Sequence, residues 1–223
     1  MKISQFPDKI TPELAEEVGW HIGDGSMNYY ENRGKIKGIY QLRGHIEDDK
    51  EHYIVRIKPI FKKLYGIGIS LREMPSTRVF GFQIWSNELV KFKESLGLKA
   101  GPKTDIIIPE KFLETNELKA SVLRGIFDTD GCVYLERKNN KLYPRLQITT
   151  ICRGLAEQIT RIFNELGLRA TYYGENIKPQ ERRKQTFTVT VRGDEMFHKF
   201  MTIIKPANPK HIAKYGLYRK SFK

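Results

Sequence analysis

Two aspartates in this 223-residue chain, Asp24 and Asp130, stand 106 residues apart (130 − 24) in matching surroundings. Asp24 closes the run Glu17-Val-Gly-Trp-His-Ile-Gly-Asp-Gly, and Asp130 closes Leu123-Arg-Gly-Ile-Phe-Asp-Thr-Asp-Gly. Gly19, Asp24 and Gly25 coincide with Gly125, Asp130 and Gly131 at that offset. Each run reads as the end of a helix, where the helix dipole is negative and disfavours a carboxylate. If the two helices pack together, like-charge repulsion adds to the problem. A divalent cation removes both difficulties. Carboxylates, the backbone oxygens at Gly23 and Thr129, and water suit Mg²⁺ or Mn²⁺. Two carboxylates and divalent ions at the junction of symmetric halves suit phosphodiester hydrolysis, in which metal activates water and stabilises the leaving oxygen. A single Asp-Gly taken alone is an ordinary helix stop followed by a turn. Its recurrence with the same neighbours favours the chemical reading.

The elements that must hold these acids repeat as well. Ala15, Gly19 and Gly23 are four apart, as are Ser121, Gly125 and Thr129, so each helix carries one stripe of small residues. Glycine inside a helix costs about 1 kcal/mol relative to alanine, and close approach of two backbones would justify it. The helices over 13–24 and 117–130 are therefore expected to pack about a pseudo-twofold axis. Gln41 and Gln147 keep the offset of 106, and Ala100-Gly-Pro-Lys103 answers Ala207-Asn-Pro-Lys210 at 107 (210 − 103). Each copy reads helix, two strands, helix, two strands, helix, an α+β class of tandem αββαββα repeats. In copy one the strands are expected near 26–31 and 37–43, at 67–71, where Ile67, Ile69 and Leu71 alternate, and around Phe80–Ile84, with helices over about 50–65 and from Ser86 to about 96. In copy two the strands fall near 132–138, 143–149, 169–174 and 185–192, with helices over 154–166 and 194–204. The repeats span 1–98 and 115–204, joined by a linker at 99–114 and followed by a basic tail at 205–223.

Lys and Arg number 39 against 26 Asp and Glu, a net charge of +13, which suits a polyanionic partner such as nucleic acid. No acid follows Glu195, so the tail is either solvated or phosphate-contacting. Strand alternation assigns the outward faces: Asn28, Tyr30, Asn32, Lys37, Gln41 and Arg43, then Ser70 and Arg72, in copy one; Tyr134, Arg145, Gln147, Thr149, Thr188, Thr190 and Arg192 in copy two. These include the residue types that pair with base edges in the major groove, although a solvated strand face would look similar. Cys132 and Cys152 form no metal-binding or disulfide pattern. No apolar run nears the roughly 20 residues of a membrane helix, and no signal-peptide core is present. An intracellular protein is expected, cytoplasmic if the host is prokaryotic.

The two motif segments resemble those of the LAGLIDADG homing endonucleases in their single-chain, two-motif form. The second is close to the family pattern. The first departs from it at Glu17 in place of the leading Leu, at His21 in place of an aliphatic residue, and at Ile22 in place of the first acid. The resemblance spans the chain through the repeats. It implies two saddle-shaped antiparallel sheets in the DNA major groove, motif helices at the interface, and metal-binding acids over the minor groove. It further implies cleavage of both strands with 3′ overhangs, Mg²⁺ or Mn²⁺ as cofactor, and Ca²⁺ supporting binding without cleavage. Lys103 and Lys210 take the place of the family's basic residue near the metals, and Gln41 and Gln147 could orient water. His21, paired with Phe127, reads as a packed residue. The partner would be a long asymmetric DNA duplex bound by a monomer. Two other functions suit this fold: an RNA-binding intron maturase and a non-cleaving, sequence-specific DNA-binding protein. Met1 and the closing Ser-Phe-Lys lack splicing residues, so a free-standing, intron-encoded protein is expected rather than an intein.

Overall fold

A computed structural model describes residues 3–139, 141–176 and 182–221, with the side chain of Asn32 outside the described set. Helix α1 (Pro12–Ile22) begins where Thr11 accepts a hydrogen bond from Leu14 N at 3.2 Å, with Pro12 in the first turn. Strands β1 (Gly25–Asn32) and β2 (Lys35–His45) form a hairpin. The next helix runs without a break through α2 (Lys50–His52), a π stretch (Tyr53–Ile57) and α3 (Lys58–Tyr65). Strands β3 (Arg72–Met74) and β4 (Val79–Trp85) and helix α4 (Asn87–Ser95) complete the first half. The second half follows the same plan: α5 (Asn116–Asp130), β5 (Gly131–Lys138), β6 (Lys141–Thr150), α6 (Arg153–Glu165), β7 (Ala170–Gly174), β8 (Phe187–Arg192) and α7 (Asp194–Ile203). The two antiparallel sheets have identical orders, β1-β2-β4-β3 and β5-β6-β8-β7. Helix α8 (Pro209–Lys220) closes the described chain. Among the described residues no helix is long and apolar enough to cross a membrane.

The inner face of each sheet packs on helices. Tyr40, Leu42, Phe80 and Phe82 are buried with Phe61 and Tyr65 in the first half; Val133, Leu146, Ile148 and Val191 are buried with Phe163 and Phe200 in the second. Glu17, the odd member of the first motif, lies within this core. It pairs with the fully buried Lys93 and accepts from the hydroxyls of Tyr40 at 3.3 Å and Tyr65 at 3.2 Å. The Lys93 ammonium also sits 4.6 Å from the centre of the Tyr40 ring. A charge takes the place of leucine here because a cation and two phenols fully satisfy it.

Several expectations need correction. Residues 67–71 form no strand. Ile67 and Ile69 alternate because they bury side chains, while strand pairing begins only at Arg72, opposite Gly81. Ser70 therefore lies exposed on the connection before β3 rather than on the sheet. Helix α1 stops at Ile22, so Asp24 follows the helix, whereas Asp130 is the last residue of α5. The basic segment after 205 is no loose tail. Its Asn208 caps α8, and His211 and Tyr218 are buried. The linker is also anchored: Ile108 is buried, its N–H donates to Gln158 Oε1 at 2.7 Å, and its carbonyl accepts from Gln158 Nε2 at 2.8 Å.

Candidate active site

Helices α1 and α5 cross at their glycines. A methyl group at Gly19 would overlap the carbonyl of Val122 and lie 2.8 Å from Gly125 Cα. One at Gly125 would overlap the carbonyl of Glu16 and lie 2.9 Å from Gly19 Cα. Ala15 and Ser121 are buried on the same stripes. Gly23 lies against Thr129, and a side chain at Gly23 would come within 3.4 Å of Asp130 Cγ. Backbone contact thus sets the ends of the two helices, and with them both aspartates, side by side.

Asp24 Oδ2 is buried and has no hydrogen-bond partner among the described residues. It borders the space that a Gly44 side chain would fill, 2.9 Å from that Cβ position, while Asp49 Oδ2 lies 2.8 Å from the same point. Burial, then the charges of Asp130 and Asp49, push the Asp24 carboxyl up to about 7, against the opposing pull of Lys210 and Lys103. Asp130 is more open, yet desolvation still raises it, with Asp49 adding to the effect and Lys103 and Lys210 opposing it. An acid held at the expense of its own ionisation, with an orphaned oxygen, fits a cation site.

The lysines of the two Pro-Lys segments both reach this centre, by different routes. Lys103 Nζ donates to the last carbonyls of α1, at 3.3 Å to His21 and 2.9 Å to Ile22, and also to Gly23. Burial lowers its pKa, and Asp130 and Asp24 oppose that shift. Lys210 Nζ instead donates to Asp49 Oδ1 at 2.7 Å. Asp128, the first acid of the second motif, holds the loop that carries Lys210: its carboxylate accepts from Ala207 N at 2.9 Å and Asn208 N at 3.1 Å.

The backbone oxygens expected to face a metal fare differently. Gly23 gives its carbonyl to Lys103, because α1 ends one residue earlier and leaves that oxygen open. The Thr129 hydroxyl donates back to the carbonyls of Gly125 and Ile126, both at 3.0 Å. Gln41 pairs across from Ser26, and Gln147 across from Cys132, so each stands opposite the second residue after its aspartate. His21 is buried and stacks on Tyr40 at 5.7 Å, and burial holds its pKa well below the usual range. It is a neutral packed ring.

Apart from Ser70, which precedes β3, the outer sheet faces carry the expected polar set, with Thr190 covered. Asn28, Tyr30, Lys37, Arg72, Tyr134, Thr149 and Arg192 are exposed, and Gln41, Arg43, Arg145, Gln147 and Thr188 are half-buried. Thr190 has the right parity but is buried, because Gln147 and Thr171 flank it on neighbouring strands. Asn32 ends β1, but its side chain lies outside the described residues. Sequence reasoning missed Gln83, which accepts from Arg43 at 3.2 Å, and the exposed rings of Trp85, Tyr143 and Tyr173. The alternation of Phe80, Phe82 and Ile84 could have found Gln83 and Trp85. Large rings read as core, and that hid Trp85, whose ring lies 6.2 Å from that of Tyr30.

Comparison with known proteins agrees with this plan. Residues 117–205 match the family of the LAGLIDADG-like domain. The structure of the homing endonuclease I-DmoI in complex with DNA and Ca superposes with a TM-score of 0.64 at 17% identity, covering 92% of this chain and 97% of that one. The LAGLIDADG homing endonuclease I-GzeII in complex with its DNA target gives 0.57 at 11% identity, covering 95% and 89%. In sequence, the chain is 25% identical over 203 residues to a glutamine–fructose-6-phosphate aminotransferase of Methanocaldococcus jannaschii, covering 90% of this chain and 17% of that protein. It is 26% identical over 228 residues to the ribonucleoside-diphosphate reductase NrdEB subunit alpha of Bacillus subtilis, covering 93% and 20%. The chain thus spans a fifth or less of these curated relatives. The second repeat matches the model of the LAGLIDADG-like domain, the first has the same strand order, and the whole two-repeat fold is the one seen in these homing endonuclease structures.

Proposed function

We propose that this protein is an intracellular, site-specific DNA endonuclease of the homing type that acts as one chain on one long asymmetric duplex. The observation that carries this reading is the pair of carboxylates, Asp24 and Asp130, brought together by the crossing backbones of α1 and α5, each of which leads directly into a sheet with a polar outer face. Asp24 and Asp130 would hold Mg²⁺ or Mn²⁺, which supplies an activated water and neutralises the leaving oxygen. Structural neighbours were solved with DNA and Mn or Ca. Lys103 and Lys210 place positive charge where the attacked phosphate gathers negative charge. Gln41 and Gln147 orient water on either side, and the sheet residues fix the register of the duplex. Two such acids acting on opposite strands across the minor groove would leave staggered 3′ overhangs.

The two named relatives have unrelated activities yet share this segment with the chain, which supports a module whose task is separate from theirs. Selecting cleaved duplexes from a random library in Mg²⁺ tests the proposal and returns the target. Cleavage at one preferred site is the expected result. Binding to a cognate intron RNA, with no duplex cut, would support the maturase reading instead.

Binding to that site should depend steeply on salt. Neutralising roughly six to ten phosphates costs about 10³–10⁵ in affinity between 50 and 200 mM salt, and the net charge of +13 is ample for that many contacts. Affinity measured in Ca²⁺ across this range checks the expectation. A nearly flat response would assign the charge to another task.

A further inference from the structure

We propose that Asp49 is a positioning residue that makes the centre asymmetric, so that cleavage of one strand depends on it and cleavage of the other does not. This inference rests on the endonuclease reading above. Asp49 is almost wholly buried, and its carboxylate is fully engaged. Oδ1 accepts from Lys210 Nζ at 2.7 Å and from Asn208 Nδ2 at 2.8 Å, while Oδ2 accepts from the backbone N–H of His45 at 2.7 Å. A first-half acid therefore grips the Asn-Pro-Lys segment of the second half. Gly44 is what lets it stand beside Asp24, since any side chain there would meet both carboxylates.

The other half shows no such device among the described residues. Asp49 directly precedes α2, and the residue that directly precedes α6 is Cys152, whose thiol donates to the carbonyl of Ile106 at 3.2 Å. Lys103, the counterpart of Lys210, is held by the terminal carbonyls of α1 and needs no acid to place it. Helix carbonyls are fixed by the backbone, whereas a carboxylate can be removed by a single substitution. Both Asp49 oxygens are taken by protein donors, so it acts through Lys210. Loss of a group that only orients a catalytic residue commonly costs roughly 10- to 100-fold.

The test is single-turnover cleavage of the library-selected duplex in Mg²⁺, with each strand labelled separately. For Asp49→Asn we expect one strand to slow by about tenfold or more, the other to stay within about twofold of wild type, and nicked duplex to accumulate. Combining Asp49→Asn with Lys210→Met should be no slower on the affected strand than Lys210→Met alone, because both act at one point. A purely structural role would slow both strands together and give additive losses, and either result overturns the proposal. So would unchanged cleavage of both strands. If Asp49→Asn melts below the assay temperature, Asp49→Ser, which keeps a small hydrogen-bonding group in the same space, carries the same expectations. Wild-type protein that cuts no duplex would defeat the endonuclease reading itself, and this proposal with it. Wild type that cuts, beside a variant with evenly slowed strands, would defeat only the role of Asp49.

Discussion

Asp24→Asn and Asp130→Asn are each expected to end double-strand cleavage while specific binding persists. Asparagine keeps the shape of the side chain and removes the charge that holds a cation, so the chemistry fails before recognition does. Two acids facing phosphate without metal repel it, so in the absence of divalent metal binding by the variants should be at least as tight as by wild type. The pH dependence of stability provides a second readout. The Asp24 carboxyl rises from an ordinary 3.8 to about 7 in the folded protein. Between these values the metal-free folded state keeps a proton that the unfolded chain has lost. Stability therefore falls as pH climbs through this window and levels off above it. Asp24→Asn escapes that loss. Without metal it should melt above wild type at pH 8 and close to wild type below pH 4. Adding Mg²⁺ at pH 8 should raise the melting temperature of wild type by mass action and that of Asp24→Asn much less. Cleavage in Mg²⁺, binding in Ca²⁺ and with a chelator, and thermal melts across pH check all of this. Near-normal cutting of both strands by either variant would return the two Asp-Gly pairs to the status of simple helix stops.

Gly125→Ala, and equally Gly19→Ala, should destabilise the protein by about 3 kcal/mol or more. At an ordinary helix position the same change would stabilise by about 1 kcal/mol. Here the new methyl meets the carbonyl of Glu16 or Val122 and the opposite glycine, and backbone cannot rotate away as a side chain can. The helices must part, and Asp24 and Asp130 separate with them, so cleavage should fall as well. The double variant should cost less than the sum of the two singles, because one separation relieves both overlaps. Gly154→Ala in α6 is the control, since its new methyl would find nothing closer than Ile107 at 3.9 Å. Urea melts give the comparison. A Gly125→Ala protein as stable as the control would mean that the helices do not meet as described.

What could be read from the sequence was whatever occurs twice. Gly19 with Gly125, Asp24 with Asp130 and Lys103 with Lys210 stand out because a repeated spacing separates constraint from chance. Sheet faces were legible by parity, which placed Arg43 and Arg145 outward, but parity says nothing about crowding, and Thr190 is covered. Asp49 was invisible because the residue in its place before α6 is Cys152 and its partners lie about 160 residues ahead, Asn208 at a separation of 159 and Lys210 at 161. The strand expected at Ile67–Leu71 failed because burial of alternate residues does not require a pairing partner. Helix α8 was hidden because only His211 and Tyr218 within it are buried, too few to show a helical period.

The anchored linker has a consequence for molecules that share a cell. Two related chains could in principle trade halves, each α1 pairing with the other chain's α5. Lys103 is tied to α1 of the first half and Ile108 to Gln158 of the second, so only residues 104–107 are left to span an exchange. The tethered partner is already present at the high effective concentration of a short linker, so trading gains nothing. On the endonuclease reading proposed above, each chain therefore keeps its two half-specificities together. A cell carrying several such chains would hold as many recognition sequences as chains, with no mixed combinations arising between them.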